Sequence, residues 1–217
     1  MLFNGPEGAA WTMVLAHGAG QGMDSAFMKK FAEGLCAQGD AVGGLRVARF
    51  EFPYMQGMRL SGKRRPPDRE GKLIEAWQVQ LASLARRGLS SARLVIGGKS
   101  LGGRIASQIA DQAQVAALVC LGYPFHAPGK PTLPRTQHLR TLSTPTLICQ
   151  GTRDPFGNRA EVRHYPLSQS IRLYWLEEAD HSLKPRSGMG VTQEEYFSQA
   201  IDAIIGFIND LSPQGPA

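Results

Sequence analysis

The stretch Gly98-Lys99-Ser100-Leu101-Gly102 puts a serine where nucleophilic chemistry would need one. It follows the apolar run Leu94-Val95-Ile96-Gly97 and opens a helical pattern, the context in which a G-x-S-x-G segment makes a sharp strand-to-helix turn. Such a turn strains the serine backbone and lifts the hydroxyl clear of the sheet. It also sets the hydroxyl at a helix N-terminus, where free N–H groups, led by that of Leu101, can hold an oxyanion. Glycine at 98 and 102 leaves room for neighbouring chain. A five-residue match also arises by chance in a Gly-rich chain, so the flanking strand and helix carry the argument. The overlapping Gly98-Lys99-Ser100 suggests a phosphate-binding loop instead, but that motif needs glycine where this chain has Arg93.

A serine hydroxyl is a weak nucleophile near neutral pH. It needs a histidine to take its proton and a carboxylate to hold that histidine in the right tautomer. For a serine on this kind of turn, the acid and then the histidine follow in chain order. Downstream, Thr146-Leu147-Ile148-Cys149-Gln150-Gly151 reads as a buried strand running into a loop that carries Asp154, the natural acid. Leu173-Tyr174-Trp175-Leu176 is another strand, and His181 just beyond it is the natural base. Asp180 is adjacent to His181 and poorly placed to turn back onto its ring, while Asp111 and Asp202 fall inside helical patterns. His138 and His164 also sit in helical stretches and read as surface or capping residues.

A second oxyanion donor should come from the loop after an earlier strand. His17-Gly18-Ala19-Gly20 follows Met13-Val14-Leu15-Ala16, which makes the Ala19 N–H the expected donor; a plain Gly-rich turn is the alternative. Tyr123 and His126, just past a strand ending at Leu121, are expected to contact substrate, although a structural hydrogen bond serves His126 equally well.

The elements that must position these residues form a repeating pattern. A short apolar run, a glycine or polar turn and a longer amphipathic stretch recur along the chain, as in a doubly wound α/β fold with a mostly parallel sheet. Strands are expected at 12–16, 45–50, 93–96, 115–121, 145–149 and 171–176. Helices are expected at 27–37, 72–87, 101–112, 136–142, 159–164 and 192–211. The six strands should therefore have helices on both faces. The last helix has an apolar stripe at Ala200, Ile201, Ile204, Ile205 and Ile208, suited to lying on a sheet. Residues 55–71 lack usable periodicity and read as loop. The span from Leu121 to Pro145 is too short for a helical cap, so the site should be open.

The 217 residues suit one domain over 1–217, with 212–217 a flexible Pro/Gly tail. No stretch approaches a membrane span and the start lacks a secretory pattern, so the expected location is cytoplasmic, with no membrane partner. Cys36, Cys120 and Cys149 make an odd set with no CxxC spacing, hence reduced, buried thiols are expected. The net charge of +6 is concentrated: residues 46–72 hold eight Lys/Arg against three acids. One basic segment without interleaved aromatics or a binding motif argues against a nucleic-acid partner. Because Arg59, Lys63, Arg64, Arg65 and Arg69 follow a strand end, they could instead border the ligand crevice.

With LAHGAGQGMDSAFM, RFEFPYM, GGKSLGGRIAS, LGYPFHAPGKP, QGTRDPFG and ADHSLKP in view, the chain resembles the KANL3/Tex30-like predicted hydrolases of the α/β-hydrolase fold, with dienelactone hydrolases as more distant relatives. The resemblance implies a serine hydrolase triad at Ser100, Asp154 and His181. The cysteine chemistry of the dienelactone enzymes is not implied, because the elbow here carries Ser100. Together these readings predict acyl transfer from a small-molecule ester or similar substrate to water, through an acyl-enzyme and without metal or organic cofactor. A catalytically idle scaffold or protein-interaction module built on the same fold is the alternative. For an ordinary histidine base, kcat/KM would rise across roughly pH 6 to 8 and then level.

Overall fold

The computed structural model describes residues 1–211, so the tail expected at 212–217 lies outside the described residues. In chain order the elements are β1 (Leu2–Asn4), β2 (Trp11–Ala16), α1 (Ala26–Ala37), β3 (Leu45–Phe50), α2 (Pro53–Ser61), α3 (Glu70–Arg86), β4 (Leu94–Lys99), α4 (Leu101–Ala113), β5 (Ala117–Leu121), β6 (Thr146–Gly151), α5 (Arg159–Val162), β7 (Ile171–Leu176) and α6 (Gln193–Leu211). The strands form one sheet in the order β1-β3-β2-β4-β5-β6-β7. All neighbours pair in parallel except β1, which runs antiparallel to β3.

The expected six strands are present, and β1 is a seventh at the edge. Its anchors are side chains far off in sequence. Arg49 donates to the Asn4 side-chain oxygen at 2.9 Å, and the Arg46 guanidinium lies 4.3 Å from the centre of the Phe3 ring. Two further corrections concern helices. Residues 53–61 form α2, with Pro53 in its first turn and Gly62 closing it at φ 66°, so only part of the expected 55–71 loop is loop. The helix expected at 136–142 is a single 3-10 turn, Gln137–Arg140. It is the one helical turn between β5 and β6, and no cap domain is inserted there.

Strand side chains alternate between the two faces. On one face Met13, Leu15, Val47, Val95 and Val119 pack beneath α1 and α6, whose Phe31, Leu35, Ile201 and Ile204 are fully or almost fully buried. On the other, Val14, Ala48, Phe50, Ile96 and Leu118 pack beneath α3 and α4 through Trp77, Ile105 and Ile109. Burying a Leu, Ile or Phe side chain contributes about 1.5–3 kcal/mol, so both layers hold the sheet firmly. Cys120 and Cys149 belong to opposite layers, and Cys36 is only half-buried. No helix among the described residues is long and apolar enough to cross a membrane.

The chain leaves β2 for β3 on one side, then returns to β4 on the other. The reversal opens a crevice at the C-terminal ends of β2 and β4, where doubly wound sheets bind ligands. The His17–Gly20 loop and Ser100 stand on either side of it.

Candidate active site

Ser100 is the residue between β4 and α4, with φ 50° and ψ −113°. Few L-residues tolerate positive φ, and the surrounding chain holds it there. Its N–H donates to the Leu121 carbonyl at 3.0 Å, and its own carbonyl accepts from Arg104 N–H in the first turn of α4. The flanking glycines are required by β2. A Cβ on Gly98 would lie 2.1 Å from the Ala16 carbonyl oxygen, and one on Gly102 2.2 Å from the same atom.

His181, in the loop after β7, reaches back to this serine. Its Nε2 lies 2.8 Å from Ser100 Oγ, and its Nδ1 lies 2.7 Å from Asp154 Oδ2. A carboxylate only accepts, so Nδ1 carries the proton and Nε2 is left free to accept the serine's. Phe156 covers the imidazole at a ring-centre distance of 4.2 Å. Asp154 is fully buried; its Oδ1 accepts from Phe156 N–H at 2.8 Å.

The remaining support for Asp154 comes from Gln150, whose role the sequence reading missed. This fully buried side chain in β6 donates to Asp154 Oδ2 at 2.8 Å and to the carbonyls of Tyr123 and Gly157 at 3.1 Å each, and accepts from Tyr123 N–H at 2.7 Å. Gln150→Leu is expected to leave these groups unpaired inside the protein, at a cost of at least about 2 kcal/mol. A lowered thermal midpoint would show it.

His17 was likewise missed as a positioning residue. Fully buried, it donates from Nδ1 to the Gly18 carbonyl at 2.7 Å, so Nε2 accepts from Phe52 N–H at 3.0 Å. Burial pushes its pKa down and keeps this neutral tautomer. Tyr54 Oη donates to the Ala19 carbonyl at 3.0 Å, and together these bonds pin the loop beside Ser100. No acceptor within the described chain is found for the N–H of either Ala19 or Leu101, the two donors expected from the sequence.

These groups open onto a cleft of about 480 Å³ bordered by the 18–20 loop, Phe27, Lys99, Ser100, Phe156 and His181. Tyr123 and His126 do not border it, contrary to expectation. Tyr123 is fully buried, with its hydroxyl 3.3 Å from the Arg135 carbonyl oxygen and 3.4 Å from both Ser107 and His138. His126 is tied to the Ala127 carbonyl and to Glu161 at 2.8 and 3.1 Å. Residues 122–126 at the start of the loop after β5 are buried, and the chain becomes exposed only from 128 onward. The basic segment also stands away: Arg59 is held by Asp24 and Glu51, and neither it nor Lys63, Arg64, Arg65 or Arg69 lines the cleft.

The alpha/beta hydrolase domain family matches residues 9–209 of the chain. The chain belongs to that family. Solved structures with the same fold include a lidless α/β serine hydrolase from Xanthomonas campestris, at 17% identity and TM-score 0.68, covering 99% of this chain and 89% of that one. An α/β serine hydrolase homologue from Coxiella burnetii is also 17% identical, with TM-score 0.65 and coverage of 96% and 89%. A dienelactone hydrolase from Anabaena variabilis is 20% identical, with TM-score 0.62 and coverage of 96% and 89%. At these identities the likeness is one of fold. A comparison with curated proteins finds no match.

Within this α/β-hydrolase domain, His181 has a pKa below its ordinary 6.5. Burial is the largest cause and the Lys99 charge acts in the same direction, against the opposing pull of Asp154 and Asp180. The neutral imidazole is the form that can accept a proton, so competence is present above this pKa and lost as pH falls through it. The midpoint of the acid limb of kcat/KM is therefore expected below about 6.5, lower than an ordinary histidine would give. An ester-hydrolysis profile between pH 4.5 and 8 measures it.

Proposed function

We propose that the chain is a serine hydrolase acting on carboxylic esters or similar acyl substrates, with Ser100 as nucleophile, His181 as base and Asp154 as the group that orients the base. The observation that carries this reading is the continuous line from Ser100 Oγ through the His181 ring to Asp154, at 2.8 and 2.7 Å, beside a cleft. Ser100 Oγ attacks the carbonyl carbon while its proton passes to His181 Nε2. The negative charge then borne by the carbonyl oxygen is held by the N–H groups of Leu101 and Ala19, a pair in which each donor contributes on the order of a hundredfold or more. Collapse expels the alcohol, which takes the proton from His181 and leaves Ser100 acylated. Water, deprotonated by the same ring, attacks the ester carbonyl and releases the acid.

The serine hydrolases among the proteins of like fold support this assignment. The finer kinship to KANL3/Tex30-like hydrolases rests on the sequence motifs and forms part of the same proposal. An open cleft with no cap over it favours small or accessible acyl groups. Labelling with a fluorophosphonate probe tests the reading without knowledge of the substrate, because only an activated serine reacts quickly. Rapid labelling that maps to Ser100 is the expected result; none after prolonged incubation would overturn it.

A further inference from the structure

The mechanism above leaves one group in the cleft unused. Lys99 precedes Ser100, and the ammonium of this half-buried side chain donates to the His181 carbonyl oxygen and lies 5.2 Å from the centre of the Phe27 ring. No carboxylate pairs with it, and the His181 carbonyl is the one acceptor found for its three N–H bonds among the described residues. The second cation at the cleft, Lys30, is already paired with Glu194. Among the described residues lining the cleft there is no aspartate or glutamate at all.

An ammonium with one carbonyl partner and no direct ion pair is costly where it has lost much of its water, since Asp154 and Asp180 act on it only at a distance. Holding a backbone carbonyl needs only a neutral donor, so the charge itself calls for a further partner. Burial draws the Lys99 pKa down to about 8, with Asp154 and Asp180 pulling it back up, so the cation is still the main form at neutral pH. With the basic 63–69 segment away from the cleft, Lys99 is the unpaired cation that a bound ligand would meet.

We propose that Lys99 is the anion-recognising residue of the Ser100 cleft, which makes the preferred substrate an acyl compound with a carboxylate or phosphate-type anion a few bonds from the scissile carbonyl. This inference rests on the serine hydrolase reading for the word substrate, though not for the anion site itself. A charge-assisted hydrogen bond formed out of water favours its ligand by roughly ten- to hundredfold.

The test compares ethyl butyrate with monoethyl succinate, which carries a carboxylate in place of the terminal methyl, and with ethyl 3-phosphonopropanoate. Each is assayed on wild type, Lys99→Gln and Lys99→Arg. Wild type is expected to prefer an anionic ester, and the better of the two identifies the source of the charge. Lys99→Gln should lower the anionic-to-neutral ratio of kcat/KM by about ten- to hundredfold, whereas Lys99→Arg should keep much of it. Any loosening of the His181 loop lowers all three esters alike and cancels in the ratio. An unchanged ratio in Lys99→Gln would overturn the proposal. Calorimetric titration of succinate into Ser100→Ala, and into the same protein with Lys99→Gln added, reads the site with chemistry silent. Binding lost in the second protein supports the anion site even if wild type turns over no ester, an outcome that would sink the hydrolase reading alone. Ester turnover with no anion preference and no succinate binding would sink the anion site alone.

Discussion

Ser100→Ala is expected to fold as the parent does and to hydrolyse a short p-nitrophenyl ester more slowly by on the order of a thousandfold or more. The bonds that hold the elbow run through the backbone at 100, to Leu121 and Arg104, and survive the substitution. The positive φ is as unfavourable for alanine as for serine, so the strain is unchanged. What disappears is the one oxygen facing His181 Nε2. Unaltered thermal unfolding combined with loss of turnover and of fluorophosphonate labelling is the expected pattern. Turnover at the wild-type rate would remove Ser100 from the mechanism.

Asp154→Asn is expected to cost on the order of ten-thousandfold in kcat, a large loss that still leaves the nucleophile in place. Asp154 accepts three hydrogen bonds, from Gln150 and His181 at Oδ2 and from Phe156 N–H at Oδ1. An amide offers one accepting oxygen, so no orientation of asparagine serves both ends. With the NH2 turned toward His181, Nδ1 must become the acceptor. The ring proton then moves to Nε2, where it blocks uptake of the serine proton. With the oxygen turned toward His181, the NH2 faces the Phe156 N–H. Single-turnover kinetics with a p-nitrophenyl ester separate the effect on acylation from later steps, and a loss smaller than about tenfold would mean that another group orients the base.

How much of this arrangement could be read in advance depended on the kind of residue. Five of the six parallel strands were legible because strands buried on both faces are continuous apolar runs, and the half-buried edge strand β7 because Leu173-Tyr174-Trp175-Leu176 is still an unbroken apolar stretch. Ser100, Asp154 and His181 were legible because each follows such a run in the required order. β1 was not, since Leu2-Phe3-Asn4 has no pattern of its own and is held by Arg46 and Arg49, far away in sequence. α2 was obscured by the glycine and charges around it, although Pro53 and Gly62 bracket it in the manner of a helix start and stop. Gln150 and His17 gave no signal, because what each does depends on which backbone groups the fold brings alongside. Tyr123 and His126 were misjudged for the same reason. Their positions after β5 said they were near a strand end, and only the path of the following loop said which way they turn.

β7 lies at the edge of the sheet, paired with β6 alone, and most of its side chains are only half-buried. Edge segments exchange their amide hydrogens through small openings that leave the centre intact, so the amides of 171–184 are expected to exchange faster than those of β2, β4 and β5. His181 hangs from this segment, whereas Ser100 and Asp154 extend from strands with a neighbour on each side. Mild urea should therefore detach the imidazole from the other two side chains before the fluorescence of the core tryptophans Trp11 and Trp77 changes, read in a Trp175→Phe variant because Trp175 lies in β7 itself. Under such conditions the two core layers would still be native while the molecule lacks one member of its hydrogen-bonded line.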